Sequence, residues 1–75
     1  MEVKIRECRS YNQLFEAVHK LEHEVYTLRD ITILYYQKHE IMLILKSGVS
    51  TPVAAFNTTE ICNHEKLIRE ILHAI

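Results

Sequence analysis

Apolar and polar residues first alternate along this chain and then recur at helical spacing. Over residues 2–7, Val3 and Ile5 alternate with charged neighbours, which is the period-2 pattern of a short strand with one solvated face. The charged residues predict a position at the edge of a sheet, where charge discourages further strand pairing.

A stripe of apolar residues over residues 10–28 predicts the first helix. The stripe has intervals of three and four residues and consists of Tyr11, Leu14, Val18, Leu21, Val25 and Leu28. That spacing predicts an amphipathic helix of about five turns, and Ser10 with Gln13 fits a capping box at its start. The same intervals describe a coiled-coil seam, but the stripe covers under three heptads, so packing on a sheet is favoured.

Three later segments predict strands. Residues 31–36 and 41–45 are rich in apolar, β-branched and aromatic side chains and flank a short polar segment, which indicates a β-hairpin. Residues 47–52 form a loop with the only glycine and the only proline of the chain, and residues 53–56 predict a further strand after it.

The C-terminal segment predicts a second helix, which begins either near Asn57 or, as we favour, at Asn63. We expect its buried face to consist of Leu67, Ile68, Ile71, Leu72 and Ile75. The element order is then β-α-β-β-β-α, in one α+β domain over residues 1–75. We expect a mainly antiparallel sheet of three to four strands, with two helices packed on one face.

The register of the hairpin decides which side chains share a face, because directly opposed residues lie on the same side of a sheet. A two-residue loop would pair Tyr36 with Ile41, but Lys38 and His39 are poorly suited to the positive φ angles of such a turn. A three-residue loop pairs Tyr36 with Glu40 and is the register we expect. One face then consists of Ile31, Ile33, Tyr35, Ile41, Leu43 and Leu45, and the other of Thr32, Leu34, Tyr36, Glu40, Met42, Ile44 and Lys46.

In either register the second face keeps several large apolar side chains. If both helices cover the first face, Leu34, Tyr36, Met42 and Ile44 expose on the order of 400 Å², which is the size of an interaction surface on a small monomer. If the helices divide between the two faces, no such patch remains. We therefore expect a small non-catalytic protein-interaction or regulatory module. These residues would form a homodimer or bind a small protein partner.

The charge of the chain argues against a nucleic-acid partner. Nine Lys and Arg against ten Asp and Glu give a formal net charge of −1, whereas nucleic-acid binding usually rests on a basic excess. A local basic cluster of Lys4, Arg6 and Arg9 is interrupted by Glu2 and Glu7.

Without its first strand, the predicted order of helix, three strands and helix resembles the double-stranded-RNA-binding domain. The basic stretch that opens the last helix of that family would fall on residues 63–66, where Lys66 is the only lysine, and its Gly-Pro loop corresponds to residues 48–52. The resemblance implies an alternative function as a nucleic-acid-binding domain. The residues that would bind nucleic acid are Lys4, Arg6, Arg9, Lys66 and Arg69.

Few residues suggest catalysis or metal binding. His19 and His23 have the spacing at which two imidazoles on one helix face can share a metal, but no second cluster completes a site. Asp30 is the only aspartate, and the chain has no glycine-rich loop for a phosphate. We therefore expect no enzymatic activity, no metal, no cofactor and no small-molecule substrate.

Neither a secretory signal nor a membrane span is predicted, because no apolar run approaches the length of about 20 residues that a span needs. We therefore expect a soluble protein in the cytoplasm that does not bind membranes. Two cysteines make a poor disulfide framework in that compartment, so Cys8 and Cys62 are expected to be reduced.

Overall fold

The computed structural model describes residues 3–60 and 64–74 of the chain. Together they form an α+β fold, which confirms the class predicted from the sequence. The elements are β1 (Ile5–Glu7), α1 (Tyr11–Lys20), β2 (Val25–Leu28), β3 (Ile31–Tyr36), β4 (Ile41–Lys46), β5 (Ala54–Asn57), a 3-10 turn (Thr58–Glu60) and α2 (His64–Ala74). None of the described helices is both long enough and apolar enough to span a membrane.

The sheet has five strands in the order β1-β2-β3-β4-β5, so the expectation of three to four strands is wrong. β1 pairs with β2 in parallel, and the other neighbouring pairs are antiparallel. β1 occupies an edge of the sheet, as its charges predicted. Parallel neighbours need a crossover connection, and α1 provides it between β1 and β2.

The first helix begins where the sequence predicted. The Ser10 hydroxyl accepts a hydrogen bond of 3.3 Å from the Gln13 N–H, and Gln13 Oε1 accepts one of 2.9 Å from the Arg9 N–H. The first bond satisfies a backbone donor that the helix leaves unpaired at its N-terminus, and the second satisfies the donor of the residue that precedes the cap. The amide thus reaches one residue further back than the capping box predicts.

The end of the first helix differs from the prediction, because α1 stops at Lys20 and does not continue to Leu28. Leu21 takes the left-handed conformation at φ 54°, and its N–H bonds to the Val18 carbonyl at 3.1 Å, which closes the helix. Val25–Leu28 then form β2, a strand that was not predicted. The apolar spacing continues past the helix because β2 also buries alternate residues.

The hairpin of β3 and β4 pairs Tyr36 with Ile41, so the expected pairing of Tyr36 with Glu40 is wrong. Four residues, 37–40, connect the strands. The His39 N–H donates to the Tyr36 carbonyl and the Glu40 N–H to the Gln37 carbonyl, each at 3.2 Å. Only Glu40 has a positive φ, of 56°, so this longer loop avoids the geometry that made a two-residue turn unsuitable.

The core contains residues from alternate positions of the sheet and from both helices. Ile31 and Ile33 of β3 are 2% and 0% exposed, while Thr32 and Leu34 between and beside them remain half-buried. The buried cluster consists of Cys8, Leu14, Phe15, Val18, Tyr26, Leu28, Ile31, Ile33, Met42, Ile44 and Ile71.

The second helix begins at His64, although Cys62 and Asn63, from which its start was predicted, lie outside the described residues. Asn57, the alternative start, accepts hydrogen bonds from the Thr59 N–H and hydroxyl at 3.0 and 2.6 Å and caps the 3-10 turn. On α2, Ile71 is buried and Ile68 packs against the core. Leu72 is 53% exposed, so its expected burial is wrong. The Leu67 side chain and Ile75 are not described.

Candidate interaction surface

The strand register assigns a set of side chains to one side of the sheet, which we call the open face. Paired residues point to the same side, and neighbours along a strand point to opposite sides. The open face therefore consists of Ile5, Glu7, Val25, Thr27, Thr32, Leu34, Tyr36, Ile41, Leu43, Leu45, Ala55 and Asn57. The core residues of the central strands, Tyr26, Ile33, Met42 and Ile44 among them, point to the other side.

The large apolar side chains of the open face are accessible to solvent. Ile5 is 58% exposed, Tyr36 46% and Ile41 38%. Leu34 and Leu43, at the centre of the face, are half-buried by their neighbours. On the same strands, Ile33, Met42 and Ile44 are completely buried. The two sides of the sheet are thus similarly apolar, but only one of them is fully covered within the described chain.

Charge is scarce on the open face. Among its strand residues only Glu7 carries a formal charge, and it lies on the edge strand β1. The other polar members are Thr27, Thr32 and the Asn57 at the opposite edge, whose side chain is turned to the 3-10 turn. An uncharged centre with polar groups at its borders is the arrangement found in protein–protein interfaces.

A groove of about 470 Å³ lies at the end of the open face that is nearest the β3–β4 loop. Val3, Val25, Leu34 and Tyr36 form its apolar wall, and the lining is completed by Glu24, Tyr35 and loop residues 37–39. Concave apolar sites of this size accept a large side chain from a partner. The groove gives the otherwise flat face a place for such an anchor.

Two of the four residues that were predicted to bind a partner lie on the open face, and two do not. Leu34 and Tyr36 lie on the open face, whereas Met42 and Ile44 are 0% exposed and belong to the core, which corrects their predicted position. A change of one residue in register moves every side chain of a strand to the opposite face. The loop is one residue longer than expected, so β4 presents Ile41, Leu43 and Leu45 instead.

Residues outside the hairpin that belong to the face were also missed. Ile5 was expected on the buried side of β1, but it is exposed on the open face beside Val25. Val25 was assigned to the first helix. The alternation of residues 25–28, with Tyr26 and Leu28 buried, was the available signal for this strand.

The basic residues of the alternative function lie at three places on the surface, and all are exposed. Lys4 and Arg6 lie at the β1 edge, Arg9 precedes α1, and Lys66 and Arg69 are on α2. Arg6 lines a depression together with Glu16 and Glu22, and Arg69 lines another with Glu65. Carboxylates beside these cations weaken any attraction for phosphate.

The topology also departs from that of the double-stranded-RNA-binding domain, because α1 is followed by four strands and not by three.

The two histidines are not on one helix. His19 lies on α1, and His23 follows the end of the helix in the connection to β2. The His23 N–H donates to the Tyr26 hydroxyl at 3.0 Å, and the two rings meet edge to face at 5.8 Å. Burial raises the pKa of Tyr26, and the bond from His23 opposes that shift. Within the described residues no group of three or more His, Cys, Asp or Glu could hold a metal ion.

Cys8 is buried with a free thiol at the end of β1. Burial raises the pKa of this thiol, and the nearby Arg6 lowers it to a smaller extent. A raised pKa leaves less thiolate at neutral pH, so the environment of Cys8 suits a structural thiol better than a nucleophile. Cys62 lies outside the described residues.

Comparison of the chain with protein-family models, with curated proteins and with solved structures gave no match. The open face is therefore interpreted from its own geometry and chemistry.

Proposed function

We propose that this protein is a non-catalytic interaction module that associates with a second copy of itself through the open face. The observation that supports the proposal most is the contrast between the two sides of the sheet. Ile33 and Met42 are fully buried, while the equally apolar Tyr36 and Ile41 on the opposite side are 46% and 38% exposed. We infer that both helices cover the core face and leave the open face to a partner.

The size of the open face fits an interface between two small chains. Five strands about 4.8 Å apart, with about five residues each at about 3.3 Å per residue, span on the order of 400 Å² in flat projection. Leucine and tyrosine side chains stand above that plane and raise the accessible area. A standard interface buries roughly 800 Å² per partner and a small specific one roughly 500 Å². The flat projection of the open face is below this range, and the relief of its side chains brings the accessible area toward the lower end.

The chemistry of the open face favours a second copy over a charged partner. With Glu7 as the only formal charge among its strand residues, the face has no cation to neutralise phosphates and only one carboxylate, at its border, for a basic peptide. Two copies related by a two-fold axis would place the apolar centre of one face on that of the other without like charges at the centre. Burial of such apolar surface is worth about 25 cal/mol per Å² before the costs of association are subtracted.

A second copy also compensates for the small size of the domain. A core of 75 residues rarely supplies more than about 3–5 kcal/mol of stability on its own. Burial of Leu34, Leu43 and Tyr36 between two copies would add apolar contacts that the single chain lacks. Folding and association are then coupled, and the apparent stability rises with protein concentration.

Adjacent residues of β4 provide the test of this proposal. Leu43→Glu places a charge on the open face, so the variant should stay folded by circular dichroism and have a lower mass than the wild type in light scattering. Met42→Glu places the same charge in the core, and an unpaired buried carboxylate should unfold the chain. Leu34→Glu should behave as Leu43→Glu does.

An unchanged mass for folded Leu43→Glu and Leu34→Glu would show that the open face is not the contact. If Leu43→Glu unfolds just as Met42→Glu does, and the stability of the wild type does not change with protein concentration, the face is instead covered within the chain. Thr27→Ser is the control, because it leaves the apolar part of the face unchanged and should keep the mass of the wild type.

A further inference from the structure

The outer edge of β5 differs from the opposite edge of the sheet in its lack of charge. Residues 53–57 contain no charged side chain, whereas β1 carries Arg6 and Glu7. Ala55 is exposed. Proteins usually protect an edge strand with charge, because its unpaired backbone groups are a template for another strand. Within residues 3–60 and 64–74, the features that protect this edge are the four-residue length of β5 and the preceding Pro52.

Two hydrogen bonds determine which backbone groups of β5 point outward. The Ser47 N–H donates to the Asp30 carbonyl at 2.8 Å, and the Thr58 N–H donates to the Glu40 carbonyl at 2.7 Å. Successive residues of a strand direct their N–H and C=O groups to opposite sides. The first bond shows that the odd-numbered residues of β4 direct their backbone groups toward β3. The even-numbered residues, Met42 and Ile44, therefore direct theirs toward β5.

The second bond gives the same result from the side of β5. Thr58 bonds inward to β4, so alternation within β5 directs Phe56 and Ala54 inward as well, in agreement with their pairing to Met42 and Ile44. The Val53 N–H, just before β5, also donates inward to the Ile44 carbonyl at 2.8 Å, so the alternation begins at Ala54. Ala55, between them, therefore directs both its N–H and its C=O away from the sheet.

The sequence around Ala55 is complementary to itself. When two β5 strands run antiparallel about a two-fold axis at Ala55, Ala55 of one copy opposes Ala55 of the other. Ala54 of each copy then opposes Phe56 of its neighbour on the same face, a small side chain against a large one, and no charges meet. The outward N–H and C=O of the two Ala55 residues would form a reciprocal pair of hydrogen bonds.

We propose that β5 pairs with β5 of a second copy and extends the sheet across this edge. The two-fold axis is normal to the sheet, so the open faces of both copies lie on the same side and form one continuous ten-stranded face. This contact is separate from the one through the open face. The two axes are perpendicular, and if they also intersect, four copies form a closed assembly.

Disulfide trapping at the two-fold position tests the edge contact. Opposed residues in a hydrogen-bonded antiparallel pair have Cα atoms about 5.5 Å apart, a distance that a disulfide spans. The background is Cys62→Ser with Leu34→Glu, which removes one native thiol and the contact through the open face. In this background Ala55→Cys should form covalent dimers under mild oxidation. The control is Glu7→Cys, an exposed position on the opposite edge.

We expect Ala55→Cys to cross-link at least tenfold faster than Glu7→Cys at equal concentration. Equal rates would overturn the edge pairing, whatever the outcome for the open face. Ala55→Pro provides a second variant, since it removes an outward N–H without breaking a bond to β4. In the Leu34→Glu background it should reduce the mass to that of one chain, and an unchanged dimer mass would also contradict the proposal.

Discussion

Three non-glycine residues with a left-handed backbone lie at the boundaries between elements. Leu21 closes α1 at φ 54°, Arg29 turns β2 into β3 at φ 55°, and Glu40 precedes β4 at φ 56°. Turns are recognised in sequences by Gly and Asn because these residues adopt positive φ at little cost. None of the three positions carries either residue, so neither the end of the helix nor the length of the hairpin loop could be predicted from residue type.

Glu40→Gly should stabilise the fold. The left-handed conformation costs an L-residue about 1–2 kcal/mol, and the extra freedom of glycine in the unfolded chain offsets part of the gain. A net stabilisation of about 1 kcal/mol would raise the melting temperature by roughly 4–8 °C in a domain of this size. The measurement is thermal unfolding at fixed protein concentration.

Lys38→Gly is the matched control for that change, because it lies in the same loop without a positive φ. It should lower the melting temperature slightly. If Glu40→Gly lowers it to the same extent, the left-handed geometry of the loop is wrong.

The thiol of Cys8 should react slowly in the folded protein. Its pKa is raised above the ordinary value of 9.0 by burial. A raised folded pKa favours the neutral thiol, so its contribution to stability is complete below about pH 9 and is lost as the pH rises through the folded value. In a Cys62→Ser variant at pH 8, iodoacetamide should modify Cys8 at least tenfold more slowly in the native protein than in urea. Similar rates in both conditions would contradict the burial of Cys8.

At the scale of elements, the two misassigned segments show where periodicity is ambiguous. Residues 25–28 continue the apolar spacing of α1, but Val25, Tyr26 and Thr27 are also good strand residues. A helical stripe and a strand that buries alternate residues share positions over one turn, so apolar spacing alone could not separate them. The start of α1 was predictable because the Ser10 and Gln13 side chains bond to backbone N–H groups within four residues in the sequence.

The hairpin illustrates a second limit. The strands β3 and β4 were predictable from composition, and the burial of Ile31 and Ile33 was assigned correctly. The faces of β4 were reversed, because they depend on whether the loop has three or four residues. That the sheet is apolar on both sides does not depend on the register, which is why this property was predicted even though half of the face residues were not.

The N-terminal cap of α1 provides a test at this scale. Ser10→Ala removes the hydroxyl that accepts the Gln13 N–H and should destabilise the protein by about 1 kcal/mol. Urea unfolding at one fixed protein concentration measures the loss. Ser10→Asp keeps an acceptor at the cap and should remain close to the wild type. An Ala variant as stable as the Asp variant would show that the cap contributes nothing.

At the scale of the whole molecule, the sheet is apolar on both sides, but its fully buried residues lie on one side. The core also contains Leu14, Phe15, Val18 and Ile71 from the helices. The open face keeps Tyr36 and Ile41 exposed, and the β5 edge has an outward backbone with no charge beside it. Association of like copies, as we propose it, would account for both features, through the face in the proposed function and through the edge in the further inference.

The mass of the wild-type protein in solution tests the central claim most directly. Sedimentation equilibrium between about 1 and 100 μM covers dissociation constants from tight to weak. The open face predicts a mass at least twice the 8.9 kDa of one chain at the upper concentrations, and a lower mass for Leu43→Glu. A wild-type mass of 8.9 kDa at about 100 μM would contradict self-association.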